Sequence, residues 1–270
     1  QCRKAWCMIE LKNLRVSYDR REVVKGVSTV FNNKHVVLGP NGHGKTTLFK
    51  AIAGLAPYKG EVIIEGTSLA KLKEGLGLLA INLPEVYRLV PLSAWETAKL
   101  YSDIMDVDLA LVEQMLSELG ISRKDLEKKK LWELSAGTLK AYCTALSVAS
   151  GARNVLLDEP FEQLDPARKG RLAQMLERYS GTLVLNTHET WILNRLPDWY
   201  VHVMVDGRLY GPAPAGRLAS AKITTSSVEH AFLRVPIGDA TVSFVETGAG
   251  EPVSSLLTLD RLYDIVLRGG

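Results

Sequence analysis

Nine residues constrain this chain more than any others. Gly39-Pro40-Asn41-Gly42-His43-Gly44-Lys45-Thr46-Thr47 fits the pattern G-x-x-x-x-G-K-S/T. A short apolar strand, Lys34–Leu38, leads into it, and helical spacing from Thr46 stops at Gly54. A strand, a glycine-rich loop and a helix in that order commit the chain to an α/β core. Glycine lets backbone wrap a phosphate without Cβ clashes. The loop N–H groups then point inward, and the start of the helix adds a positive dipole end. Lys45 offers a point charge for β- and γ-phosphates, and the Thr46 hydroxyl suits Mg2+. Gly39, Asn41, Gly42, His43, Gly44, Lys45, Thr46 and Thr47 are therefore the expected nucleotide-binding set.

The rest of the chain supports an alternating fold. Residues 8–38 read as strands broken by polar turns, and 60–66 and 77–83 as further strands. Apolar residues at helical intervals over 93–130 predict a helical insert. Residues 139–150 read as a helix, 154–158 as a strand, 167–179 as an amphipathic helix and 182–186 as a strand. This alternation predicts a parallel sheet with helices on both faces. Asp206-Gly207 predicts a hairpin turn, and 211–215, with two prolines, a break. Beyond it the pattern predicts a helix at 228–233, a strand at 240–245 and a helix at 259–267.

Composition removes several classes. Hydrophobic residues at 46% and charged residues at 23% exclude a largely disordered chain. A net charge of +3, from 33 basic and 30 acidic residues, gives no basis for a nucleic-acid partner. The longest apolar runs fall far short of the roughly 18 residues that span a bilayer. The 3 cysteines form no C-x-x-C pair, which fits a reducing compartment. The first residues lack the apolar core of a signal peptide, and the missing initiator Met reads as a trimmed start.

A second site follows from the strand Asn154–Asp158, which is apolar and ends in Asp158-Glu159-Pro160. Open α/β sheets bind ligands at the C-terminal ends of their strands. Asp158 is expected to hold Mg2+, and Glu159 to accept a proton from attacking water. Alone, such a pair is usually a solvated strand end; in the same chain as Lys45-Thr46 it reads as catalytic. Ser135-Ala136-Gly137 opens a helix, where a hydroxyl and free N–H groups make either a helix cap or a second anion site.

Together these motifs resemble the ATP-binding cassette (ABC) ATPases. Leu134-Ser135-Ala136-Gly137-Thr138 is similar to their signature Leu-Ser-Gly-Gly-Gln, with Ser135 lying 90 residues after Lys45 and 23 before Asp158. The resemblance covers about residues 8–212. It implies a P-loop NTPase-like α/β core, a mostly parallel sheet flanked by helices. It adds an antiparallel β subdomain and a helical insert over about 84–138. Residues 213–270 form a small extension of unassigned role. It also implies that Tyr18 stacks on adenine, that His188 is the switch histidine at the γ-phosphate, and that Glu85 holds the lid position at the metal. Ser135, Ala136 and Gly137 would close on a partner cassette's γ-phosphate, and Asp165 would end the loop crossing that interface. Alternatives for single residues are a core or edge tyrosine at 18, a helix cap at Asp165 before Pro166 and a surface turn at Glu85.

Several positions depart from the family pattern. Thr138 replaces Gln and Ala136 the first Gly, Glu85 replaces Gln, Glu162-Gln163 is bulkier than the usual small pair, and His43 is unusual in the loop. The expected activity is a Mg-dependent ATPase using ATP and Mg2+. Two cassettes, as a homodimer or pseudo-symmetric dimer, would close on nucleotide and power separate transmembrane permease subunits. The chain would lie in the cytoplasm on the inner face of the membrane. The Leu-Pro-Glu lid loop resembles exporter-type cassettes. Leu89, Val90, Pro91, Leu92 and Trp95 either line the groove for a coupling helix or pack within the insert. The competing readings are an ABC ATPase in a non-transport assembly and a regulatory module without turnover; Glu159 and His188 argue against the second.

Overall fold

The computed structural model describes residues 8–72, 77–88, 90–225 and 228–262. The chain opens with strands β1 (Ile9–Tyr18), β2 (Arg21–Phe31) and β3 (Lys34–Leu38), then helix α1 (Lys45–Ile52). Strands β4 (Lys59–Ile64), β5 (Thr67–Ser68) and β6 (Leu79–Ile81) follow. Five helices come next, α2 (Pro84–Tyr87), α3 (Ala94–Met105), α4 (Leu109–Glu118), α5 (Arg123–Lys128) and α6 (Ala136–Ala149). Strand β7 (Asn154–Asp158), helix α7 (Pro166–Arg178), strand β8 (Thr182–Thr187) and helix α8 (Ile192–Arg195) continue the alternation. The hairpin β9 (Tyr200–Val205) and β10 (Arg208–Pro214) leads to α9 (Ala215–Ala219), β11 (Lys222–Thr224), β12 (Leu233–Ile237), β13 (Ala240–Val245) and β14 (Glu251–Pro252).

Two compact units divide the chain. One combines Ile9–Ile63 with the described residues from Asn186 onward; the other centres on Ile64–Leu185. In the first unit, β2, β1 and β4 lie side by side, β1 and β2 antiparallel. Strand β1 buries Ile9, Leu11, Leu14 and Val16; the alternation breaks at Lys12-Asn13, where the register against β2 shifts and Asn13 takes φ 50°. In the same unit β3 pairs in parallel with β9, from His35 opposite Tyr200 to Leu38 opposite Val203. The hairpin turns at Asp206-Gly207 as the sequence predicts, both residues at positive φ.

The C-terminal part of this unit corrects two expectations. The break expected at 211–215 is a strand: β10 runs on to Pro214, with an irregular register between Tyr210 and Ala213 that absorbs Gly211-Pro212. The helix expected at 228–233 is absent. Leu233, Val235 and Ile237 are buried while Arg234 and Pro236 are exposed, a period of two that makes β12. Strands β12, β13, β11 and β14 form an antiparallel sheet in that order. The helix expected at 259–267 starts at Arg261 and otherwise lies outside the described residues.

In the second unit β8, β7 and β6 are neighbours, β6 and β7 parallel. The helical insert forms as expected because its polar punctuation caps it. Ser93 and Glu96 make a reciprocal capping box on α3, Asp108 caps α4, and Ser122 caps α5. Helix α6 buries Leu139 and every residue from Ala141 to Ala149, and ties the insert together: Tyr142 Oη donates to Ala94 O at 2.7 Å. Trp95 is buried, so it packs within the insert, while Val90 is exposed and Leu89 lies outside the described residues. Burial pushes the Cys143 thiol up to about 12, an inert core cysteine.

Candidate nucleotide site

The phosphate loop sits in the first unit, between β3 and α1. Two of its glycines are fixed by crowding. A Cβ on Gly39 would come within 2.2 Å of Met204 O, and one on Gly44 within 2.9 Å of Val23 O. Gly44 also sits at φ 97° as the N-cap of α1. It offers no side chain to the helix, and no acidic residue occupies the first turn. The first N–H groups of α1 thus stay directed at the loop, with the positive end of the helix behind them. Lys45 is buried, and its Nζ donates to Gly39 O at 2.7 Å and Pro40 O at 2.9 Å. The ammonium is held inside the loop, where phosphate oxygens would replace carbonyls as its acceptors.

His43 turns away toward the β9–β10 turn. Its Nδ1 accepts from Asp206 N at 3.0 Å and lies 3.3 Å from Asp206 Oδ1. Burial lowers its pKa, against the opposing pull of Asp206. Tyr18, the last residue of β1, is 45% exposed. Beside the loop it lines a cavity of about 610 Å³ with Asp19, Arg20, Arg21, Val23 and Gly42. An exposed aromatic ring on a cavity that includes a phosphate-loop residue is suited to stack a flat ring. His188, just after the end of β8, belongs to the same unit as the loop and is half-buried, and Gly39 N donates to Thr187 O at 3.0 Å.

The second unit carries the acidic strand end. Asp158 and Glu159 are both buried, and Glu159 takes φ 43°, a strained position for a residue other than glycine. The Asp158 peptide is bracketed by the Asn82 amide, and Lys140 Nζ donates to Asp158 O at 2.9 Å and lies 3.8 Å from Asp158 Oδ2. Ser135 caps α6, accepting from Thr138 N at 3.2 Å and donating to Thr138 Oγ1 at 2.8 Å.

A family model described as ABC transporter matches residues 25–162. The chain belongs to the ABC transporter family. A putative cobalt transport ATP-binding protein (cbiO-2) of known structure is 33% identical, covers 95% of this chain and 99% of its own, and superposes with a TM-score of 0.88. The energy-coupling factor transporter ATP-binding protein EcfA1 of Thermotoga maritima is 29% identical over 206 residues, 72% of this chain and 78% of its own. The lantibiotic transport ATP-binding protein SrtF of Streptococcus pyogenes is 24% identical over 209 residues, 75% of this chain and 89% of its own. The ATP-binding subunits of ABC transporters are thus its relatives in sequence and fold, and ATPase activity is the property of that family.

A Cβ on Gly137 would approach Gln163 O to 2.7 Å, so α6 meets the 162–165 segment closely at Gly137. Asp165 is a helix cap: it accepts from Arg168 N at 2.9 Å, and that bond holds its carboxyl below the usual range. Glu85 is exposed in the first turn of the short helix α2, so the surface turn considered for it is helical. Phosphate loop, Tyr18 and His188 stand in one unit; Glu85, Ser135, Ala136, Gly137, Asp158, Glu159 and Asp165 stand in the other. Asn82 and Lys140 escaped the sequence reading. No local signal marks them, because each reaches Asp158 only through the packing of β6 and α6 on β7.

Proposed function

We propose that the chain is the ATP-hydrolysing subunit of an ABC transporter. The observation that carries this reading is the phosphate loop, where buried Lys45 and the uncapped head of α1 converge in crowded glycine backbone. Lys45 and the loop N–H groups of Asn41 to Thr47 bind the β- and γ-phosphates, and Tyr18 stacks on the base.

Among the described residues no group of three or more His, Cys, Asp or Glu is placed to hold a metal ion. Mg2+ does not need one: it keeps waters and takes one or two protein oxygens together with phosphates. The Thr46 hydroxyl and the buried Asp158 carboxylate are each hard oxygen donors of that kind, with Glu85 a further candidate. The donor types fit a magnesium ion carried by nucleotide, which when bound neutralises charge on the phosphates. Glu159 takes a proton from a water whose oxygen bonds to the γ-phosphorus. The bond from that phosphorus to the bridging oxygen breaks, releasing ADP and inorganic phosphate. His188 contacts the γ-phosphate.

The reading extends to assembly. Residues 8–212 form the cassette, with the insert at about 84–138, and 213–270 an extension. Two cassettes sandwich nucleotide, Ser135, Ala136 and Gly137 of each facing the other's γ-phosphate and Asp165 lying at their interface. ATP favours the closed dimer, and that population shift drives separate permease subunits. No helix among the described residues is long and apolar enough to cross a membrane, and the cassette attaches to the inner membrane face through those subunits.

The test is ATP turnover by the purified chain and by Lys45→Ala, with co-purification of a polytopic membrane protein. Turnover lost in the variant, and a permease recovered, are the expected results. Folded protein that takes up no Mg-ATP overturns the reading; turnover without a membrane partner favours an ABC ATPase of a non-transport assembly.

A further inference from the structure

The segment 256–262 lies across the switch region of its own unit and reaches the phosphate loop. Leu259 N donates to His188 O at 3.2 Å, and Thr190 N donates to Leu257 O at 3.2 Å. Thr190 Oγ1 donates to Leu256 O, and Glu189 pairs with Thr258 as an antiparallel bridge. Leu256, Leu259 and Leu262 are buried and anchor the segment. One residue after Leu259, the Asp260 carboxylate accepts from Asn41 N at 3.3 Å, in the middle of the phosphate loop.

We propose that Asp260 belongs to the phosphate site as an internal anion, seated by the 256–262 strap on a loop amide, where it competes with nucleotide phosphate. The proposal rests on the reading of Gly39–Thr47 as the nucleotide loop. An N–H suited to a phosphate oxygen also suits a carboxylate oxygen, and the two anions repel at one donor. The seat is built to be left. A single oxygen meets a single donor at the long end of hydrogen-bond distance, on an exposed side chain. A cavity of about 180 Å³ lies beside the strap, lined by Thr190, Trp191, Val253, Leu256 and Leu257, and Leu257 is 79% exposed.

The strap also couples two parts of the site. The residue beside Asp260 holds the main chain of His188, so lifting the carboxylate from Asn41 loosens the bond that fixes the switch histidine. By linkage, nucleotide that displaces Asp260 releases His188, and a strap locked in place weakens nucleotide binding by the same factor.

Calorimetric binding of adenylyl imidodiphosphate with magnesium to the full chain tests this, comparing wild type, Asp260→Asn and Lys45→Ala. Removing the charge while keeping the shape should tighten binding about three- to tenfold, the scale of one hydrogen bond of ordinary net strength. Hydrogen exchange at the Leu259 and Thr190 amides should quicken when wild type is saturated with the analogue. Equal or weaker binding by Asp260→Asn overturns the proposal, as does exchange that is unchanged or slower. If wild type binds no better than Lys45→Ala, the nucleotide site itself is misread and the proposal falls with it. If wild type binds, Lys45→Ala does not and Asp260→Asn equals wild type, only the strap fails.

Discussion

The Asn82 side chain grips the peptide of Asp158 from both ends: its Oδ1 accepts from Asp158 N at 2.6 Å and its Nδ2 donates to Asp158 O at 3.3 Å. The same Nδ2 donates to Thr144 Oγ1 at 2.9 Å, which ties β6, β7 and α6 at the point where the acidic pair begins. All of these groups are buried. Asn82→Leu keeps the bulk and removes every one of those bonds. It should cost about 1–3 kcal/mol of stability, because a buried N–H is left without its acceptor. A urea melt measures that. ATP turnover should fall more than the binding of nucleotide, since Asp158 and Glu159 lose their backbone anchor; equal turnover in the variant would show that the anchor is dispensable.

Glu159 is the proposed base, and its left-handed backbone sets its carboxyl apart from that of Asp158. Glu159→Gln keeps shape and hydrogen bonding but cannot take a proton. Turnover should drop by about 10²- to 10⁴-fold, the range for general-base catalysis. Nucleotide affinity should stay within a few-fold. With ATP the variant should sediment as a dimer and remain so. Turnover at the wild-type rate would remove Glu159 from the mechanism.

Gly39 and Gly42 are both glycines of the loop, for different reasons. A Cβ on Gly39 meets Met204 O at 2.2 Å, backbone that cannot yield. A Cβ on Gly42 meets nothing within 4 Å, but φ is 79°. Gly39→Ala should therefore cost about 1–3 kcal/mol through overpacking. Gly42→Ala should cost about 1–2 kcal/mol, through the left-handed backbone alone. Both should weaken nucleotide binding, and thermal melts with calorimetry separate stability from affinity. A melting temperature for Gly39→Ala equal to wild type would mean that β9 moves aside.

The elements legible in the sequence were those whose signals are local. The loop from Gly39 to Thr47, the strand ending at Asp158 and the caps at Ser135 and Asp165 each carry their cause within a few residues. The tail did not read the same way. Apolar residues near 228–233 have helical spacing, yet pairing with β13 imposes a period of two on Leu233, Val235 and Ile237. Asp260 was equally invisible: it stands 219 positions from Asn41, and only folding brings the carboxylate to the loop. Residues of the site that act through packing, such as Asn82 and Lys140, share that obscurity.

The first unit carries a pH-sensitive element away from the loop. His35 on β3 and His202 on β9 are both buried, with Nδ1 of one 3.2 Å from Nε2 of the other. His35 Nε2 faces both Asn32 N at 3.2 Å and Asn32 O at 3.4 Å, and the tautomer sets which ring of the pair donates between Nδ1 of His35 and Nε2 of His202. Burial drives the pKa of His35 from its usual 6.5 to about 4, and that of His202 to about 3, the latter also through its neighbour His35. Above about pH 6.5 neither state binds a proton here, and the pair contributes its full stability. As pH falls below that value the unfolded chain takes up protons that the native pair refuses, so stability declines, and the decline from this pair ends only below about pH 3. Carboxylates also titrate in this range, so the measurement is a difference. The urea midpoint followed from pH 7 to pH 4 should fall more steeply in wild type than in His202→Phe, by about one proton's worth of slope. Parallel curves would show that His202 takes its proton as readily folded as unfolded.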